Sequence, residues 1–237
     1  MKTQRGVALV LALWVIALAS ILLGDLAVSV QLQQRQALWQ RNQTQATLAA
    51  EAGVNLAVAG LQREGAQRWQ ADGQLHTTQF AGTELGISVL SERGKLDLNA
   101  APARDLGKLW RACGATEQSA QTITTALEHR RNEVPLRMLE ELRALPGVTF
   151  GLYQCAQAEV TVWSGNAQPD PTLTSPLVAQ VLGLPRTRGL TLDAGQIVTV
   201  TSSATLQNGF SSGLNVTLVL LPGLDGAKPY HVVRWQE

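Results

Sequence analysis

The sequence predicts an α+β protein: a long N-terminal helix packed on an antiparallel sheet, with an all-helical block inserted between the strands. Three observations predict it. An apolar run from Val7 to Leu23 passes without a break signal into a polar, Gln-rich helical pattern. Alternating apolar segments of strand type occur only near Leu85–Asn99 and again after Gln196. Between them, Ala100 to Gly183 shows helical patterning punctuated by Pro and Gly.

The first element is the helix. Only Ser20 interrupts the apolar run, and Lys2, Arg5 and Gly6 stand before it. No small-x-small cleavage site follows, as an ordinary secretory signal would need. The pattern continues through Gly24 and Asp25 into Leu26–Val30. From 7 to 30 a helix would be roughly 36 Å long, enough to cross a bilayer core. Positive charge before the run, and none after it until Arg35, predicts a cytoplasmic N-terminus and an outside head. The helix is expected to run on to about Gln67, with a stripe at Leu38, Leu48, Ala52, Leu56, Ala59 and Gly60 or Leu61. A helix of that length needs a covered face.

Residues 70–84 are rich in Gly, Thr and Gln and are expected to form a loop. Leu85–Leu90 and Lys95–Asn99 flank Ser91-Glu92-Arg93-Gly94, which predicts a first β-hairpin. The later strands are expected at Gln196–Thr201, Leu214–Val219 and Tyr230–Trp235, with turns at Gly209, Gly213 and Pro222-Gly223 with Gly226. The long helix is the natural cover for one face of this sheet. In the helical block, Leu98-Asn99-Ala100-Ala101-Pro102 and Thr172-Leu173-Thr174-Ser175-Pro176 each precede a short helix. Helices are expected at about Ala103–Cys113 and Leu177–Leu182, each capped by a polar residue ahead of Pro. Between them Leu139–Leu145 reads as a helix ending in Leu145-Pro146-Gly147-Val148.

Composition excludes several functions. Net charge is +1 and only 16% of residues are charged, which argues against a strongly basic nucleic-acid binder. Cys113 and Cys155 stand 42 residues apart, and three His show no zinc spacing. In an oxidising compartment the two Cys can form a disulfide; two buried thiols are the other reading. His76, His129 and His231 lack a nearby nucleophile, and Gly-x-Ser-x-Gly, His-x-x-x-His and phosphate-loop motifs are missing from the sequence. No catalytic residue is assigned, and no enzyme is expected. Asp97, Glu159, Asp170 and Asp193 are available carboxylates without a Ca²⁺-loop spacing.

The Lys2-x-x-Arg5-Gly6 leader ahead of the apolar run resembles the leader of type IV pilins and pseudopilins. The resemblance implies cleavage by a prepilin peptidase between Gly6 and Val7. In that family the fifth mature residue is usually Glu; here it is Leu11. Three further segments extend the resemblance to the K-type minor pseudopilins of type II secretion (general secretion pathway protein K). They are Gly94–Ala101, then Glu140-Glu141-Leu142-x-x-Leu145-Pro146-Gly147-Val148, then Val160–Gly165. The ending Tyr230-x-Val232-x-Arg234-Trp235 agrees. Two features depart from the pattern: the chain is short for the family, and the second Pro segment lacks the Asn-Thr-Ala-Pro form more usual there.

The resemblance implies a leader at 1–6 and a transmembrane half-helix at 7–30. It implies a pilin-like part at 31–99, holding the periplasmic helix and first hairpin. A helix-hairpin-helix or SAM-like insert follows at 100–190, and C-terminal strands at 191–237. It also implies a subunit at the tip of the pseudopilus. Its partners would be the I- and J-type minor pseudopilins, the major pseudopilin, the peptidase and the inner membrane, with no nucleic acid and no cofactor. Some members bind calcium, but no ligand set can be carried onto this chain. The alternative is a membrane-tethered periplasmic DNA-binding module using the 145–148 hairpin. Glu128, Glu133, Glu140 and Glu141, interleaved with Arg130, Arg131, Arg137 and Arg143, count against it. An anchored periplasmic enzyme would need a polar cleft that the sequence does not announce.

Overall fold

The computed structural model describes residues 4–185, 194–221 and 228–237, with backbone alone at 4–8, 21–28 and 66. Residues 1–3, the Pro222-Gly223 and Gly226 turn, Asp193 and the expected end of the insert at 190 therefore lie outside the described residues.

Helix α1 runs Gln4–Leu61 as one element, six residues short of its expected end. It stops because the chain turns back on it. The Trp69 amide donates to the Gly60 carbonyl at 3.0 Å, and Arg68 Nε donates to the Leu61 carbonyl at 3.0 Å. These groups satisfy carbonyls that a helix end leaves open. The Trp69 ring lies so close to Gly60 that a Cβ there would come within 2.4 Å of it.

The sheet has the order β1-β2-β5-β6-β7 and is antiparallel throughout, with β1 His76–Phe80, β2 Thr83–Ser91, β5 Ile197–Thr205, β6 Ser211–Leu220 and β7 Tyr230–Gln236. Gly213 is not a turn residue but lies inside β6, opposite Ser203. Helix α1 crosses β2, β5 and β6. Its contact face follows the expected stripe only at the C-terminal end, where Gly60 and Leu61 are buried and Leu56 is half-buried. Ala46, Ala49, Ala50, Val54, Ala57, Val58 and Leu61 are buried, while Leu38 and Leu48 are more than half exposed. Close approach explains the difference. Gly53 sits against the sheet so tightly that a Cβ would fall 2.1 Å from Ser202 Oγ, so small residues occupy the middle of the seam and Leu38 and Leu48 are turned out.

The first hairpin also differs from expectation. β2 pairs with β1, not with the segment after Ser91, through a two-residue turn at Ala81 (φ 49°) and Gly82 (φ 76°). Two positive φ values match the twist that tight hairpins need. β1 falls in the segment expected as loop and carries no apolar alternation; an edge strand exposed from Thr77 to Phe80 needs none. The Ser91–Gly94 segment forms a single 3₁₀ turn that leaves the sheet.

Beyond it, β3 (Leu96–Asp97) pairs in parallel with β4 (Val160–Thr161). These two short strands close the root of a helical cluster: α2 Ala103–Ala112, α3 Glu117–Glu133, a 3₁₀ turn at Leu139–Ala144, α4 Phe150–Ala156 and α5 Pro176–Leu182. Leu96, Leu98, Leu106, Leu109, Trp110, Ile123, Leu139 and Leu142 fill its core. The capping expectation holds for α5, where Ser175 Oγ accepts from the Val178 amide at 3.2 Å. It fails for α2. Pro102 is itself the N-cap, and no side chain caps that end. Asn99 is occupied elsewhere: it bonds Leu136 through both its amide oxygen and nitrogen, at 2.8 and 2.9 Å. Buried Asp97 accepts from the amides of Asn99, Ala100 and Gly165 and from Ser164 Oγ. The Leu96–Asn99 segment therefore ties three chain stretches together.

Candidate assembly interface

Two regions carry functional geometry: the uncovered part of α1 and the seam between sheet and helical cluster. In the first, Leu9, Val10, Leu11, Leu13, Trp14, Val15, Ile16 and Leu18 are each 53–66% exposed. They cover every direction around the helix. Ser20 turns its hydroxyl back onto the Ile16 carbonyl at 2.8 Å, hiding the one polar group of the run. A helix apolar all round is normally buried in something. Val30, Leu32, Leu38, Trp39 and Leu48 extend the exposed apolar surface toward the head, and Trp39 meets Phe210 edge-on at 6.5 Å. Among the described residues no helix is long and apolar enough to cross a membrane; the side chains of 21–28, within the expected span 7–30, lie outside them. Gly6 and Val7 lie in the first turns of α1, with their side chains outside the described residues.

At the seam, the 3₁₀ turn after β2 is locked from both sides. Glu92 Oε1 accepts from Lys95 Nζ at 2.5 Å and from Thr199 Oγ1 at 2.5 Å, and Thr199 meets Thr217 at 2.9 Å. Glu92 and Lys95 are buried. The Asp170 amide donates to the Arg93 carbonyl at 2.8 Å, and a Cβ at Gly94 would lie 2.2 Å from the Leu173 carbonyl oxygen. On the far side, Arg234 Nε of β7 donates to Glu140 Oε1 at 2.8 Å, and its guanidinium reaches Tyr153 Oη at 3.4 Å. Burial pushes the Tyr153 phenol up; the charge of Glu140 adds to this and that of Arg234 opposes it. This second tether was not legible in the sequence beyond the position of the terminal Arg-Trp.

The 145–148 hairpin packs as a corner. Gly147 (φ 88°) lies against Ile123, and its carbonyl accepts from Ser119 Oγ at 3.4 Å. Three of the four arginines around it are engaged. Arg130 pairs with Glu141 at 2.7 Å, Arg131 with Glu128 at 3.6 Å, and Arg143 lies over the Tyr153 ring at 5.5 Å. Arg137 is exposed, next to Glu141, which accepts from its amide at 2.7 Å.

Cys113 and Cys155 are joined in a disulfide, with Cα atoms 5.6 Å apart, tying the end of α2 to α4. Among the described residues no group of three or more His, Cys, Asp or Glu could hold a metal. Asp97 serves the turn described above, Glu159 accepts from Ser175 Oγ, and Asp170 accepts from Thr172 at 2.7 Å. The three His stay apart: His76 stacks on Trp69 at 4.0 Å, His129 lies 3.7 Å from Glu133, and His231 stands in β7.

No protein-family model matches this chain, and no curated protein matches it. Its fold does match a chain in the crystal structure of the GspK-GspI-GspJ complex from the enterotoxigenic Escherichia coli type 2 secretion system. The TM-score is 0.58 over 85% of this chain and 98% of that one, at 14% identity. At that identity the likeness is one of fold, extending over most of the chain.

Proposed function

We propose that this chain is a minor pseudopilin of a type II secretion system, an assembly protein and not an enzyme. The observation that carries the reading is the fold match to a chain of the GspK-GspI-GspJ complex over 85% of the chain. The leader motif and the fully apolar surface of α1 near its start support it independently. In this reading the peptidase cuts between Gly6 and Val7, residues 7–30 anchor the chain in the inner membrane, and the head stands in the periplasm.

Two features support a place at the tip. The helical cluster makes the head bulky beyond the sheet, which leaves little room for a subunit stacked above it. Leu11 cannot offer the carboxylate that pairs with the terminal amine of a neighbouring subunit; such a charge is tolerated in a bilayer only when paired. I- and J-type minor subunits would then pack along the exposed apolar side of α1.

Coexpression with a prepilin peptidase, followed by intact mass and N-terminal sequencing, tests the class. The expected result is a chain beginning at Val7, with processing lost in Gly6→Val. An unprocessed or differently cut chain overturns it. Copurification with I- and J-type subunits, weakened by charged substitutions at Leu38 and Trp39, tests the partners.

A further inference from the structure

The two edges of the sheet are treated differently. β7 carries a bulge opposite Thr217/Leu218, and its Arg234 is tied to Glu140 and Tyr153 of the helical cluster. Bulges and cover are the usual protection of an edge. β1 has neither. Its register with β2 is unbroken from His76↔Ile87 to Phe80↔Thr83, and its sequence His-Thr-Thr-Gln-Phe holds no Lys, no Pro and no acid. The closing pair of a two-residue hairpin exchanges hydrogen bonds, and bonded and unbonded pairs then alternate. Phe80, Thr78 and His76 therefore bond to β2, while the N–H and C=O groups of Thr77 and Gln79 are directed outward. Residues Thr77 to Phe80 are exposed, and α1 packs chiefly on β5, β6 and β2.

Charge selects the occupant. Asp72 bridges to Leu90 one residue out of register with β1, its Oδ1 accepting from the Gln74 amide at 2.9 Å, and Glu84 sits opposite Gln79; both are exposed. From Trp69 to Glu92 the chain has no Lys or Arg. We propose that β1 is a strand-addition site, taking an extended segment of another protein that carries Lys or Arg among β-branched residues. The backbone of Thr77 and Gln79 supplies the affinity, and Asp72 and Glu84 supply the preference for positive charge. A second copy of this chain is disfavoured as occupant. Antiparallel β1–β1 pairing would reverse one long helix against the other, and β1 would bring the same acidic ends together.

The test uses the full chain in detergent micelles and a blocked peptide, Thr-Val-Lys-Val-Thr-Lys, with a Glu-for-Lys version as its control. The expected result is binding that slows hydrogen exchange in the segment spanning 76–80. The Glu version and a Thr77→Pro variant should each bind about tenfold more weakly or worse, because Pro at an outward edge position removes only the outward N–H. Equal binding by Thr77→Pro, protection at β7 in place of β1, or no binding overturns the proposal. Should Thr77→Pro fail to fold, the exchange pattern of the unsubstituted chain with the two peptides decides. Disulfide-linked dimers of a Thr78→Cys variant would make the occupant a second copy and overturn it as stated. None of these outcomes depends on leader processing.

Discussion

The sheet core and the helical core are built on opposite plans. Against the sheet, α1 presents Ala46, Ala49, Ala50, Gly53 and Ala57, and the strands answer with Leu85, Ile87, Val89, Val198, Val200 and Val216. The helix is set by close backbone approach, so this core is sensitive to added volume. The helical cluster instead surrounds Trp110 with Leu side chains and adds a covalent tie, Cys113–Cys155. Its helices are short, only seven residues each in α4 and α5, and could not stand alone. This core is sensitive to lost volume and to reduction. The two meet at Glu92 and Lys95, a buried ion pair that belongs to neither.

That seam should give the largest effect. Lys95→Met leaves Glu92 buried and unpaired, at a cost of about 3–5 kcal/mol. The double variant Glu92→Gln, Lys95→Met should recover most of it; thermal unfolding of all three chains checks this, and no recovery would show that the pair contributes only by shape. Trp110→Ala empties the centre of the helical cluster and should cost about 3–5 kcal/mol. Limited proteolysis should then cut the insert before the sheet. Replacing both Cys by Ser opens a tie spanning 42 residues, worth about 4 kcal/mol in the chain-entropy account and often less in practice. A melting curve unmoved by reductant would contradict that. In the other core the damaging change is enlargement. Gly53→Val drives a side chain into Ser202 and should cost about 1–3 kcal/mol, whereas Leu48→Ala on the exposed face should be near neutral until partners are present.

The smallest effect is one of pH. Glu141 accepts from the Arg137 amide at 2.7 Å, and that bond holds its carboxyl below the ordinary value of 4.5, with Met138 and Arg130 adding to it and desolvation opposing. Its folded pKa is depressed. The added stability is present above the ordinary carboxyl range and is lost as pH falls through the lower folded value. Glu141→Gln should flatten the acid limb of the stability curve slightly, relative to the unsubstituted chain.

Much of the architecture was legible. The unbroken pattern through Asp25 announced one long helix, and the return of alternation after Gln196 announced strands that must join those before residue 100. Turn chemistry was read less well. Ser91–Gly94 looks like a hairpin turn by composition, yet Gly94 is there because the Leu173 carbonyl needs its space. Ala81-Gly82 is the true turn, and it was hidden because β1 has no buried face to leave a pattern. The Leu38/Leu48 stripe misled for a related reason: periodicity shows that a helix has faces, and close packing decides which one is inward.

Local sequence was enough for the long helix, the apolar surface of α1, the Lys2-x-x-Arg5-Gly6 motif and the late strands, because each is written in local periodicity or adjacent residues. Tertiary structure alone decided which strands pair, that Cys113 meets Cys155, that Asp97 and Asn99 knot the root of the insert, and that Arg234 reaches Glu140. Those are contacts between residues tens of positions apart. Their partners are chosen by chain closure and packing of the whole fold, and no local pattern in the sequence encodes them.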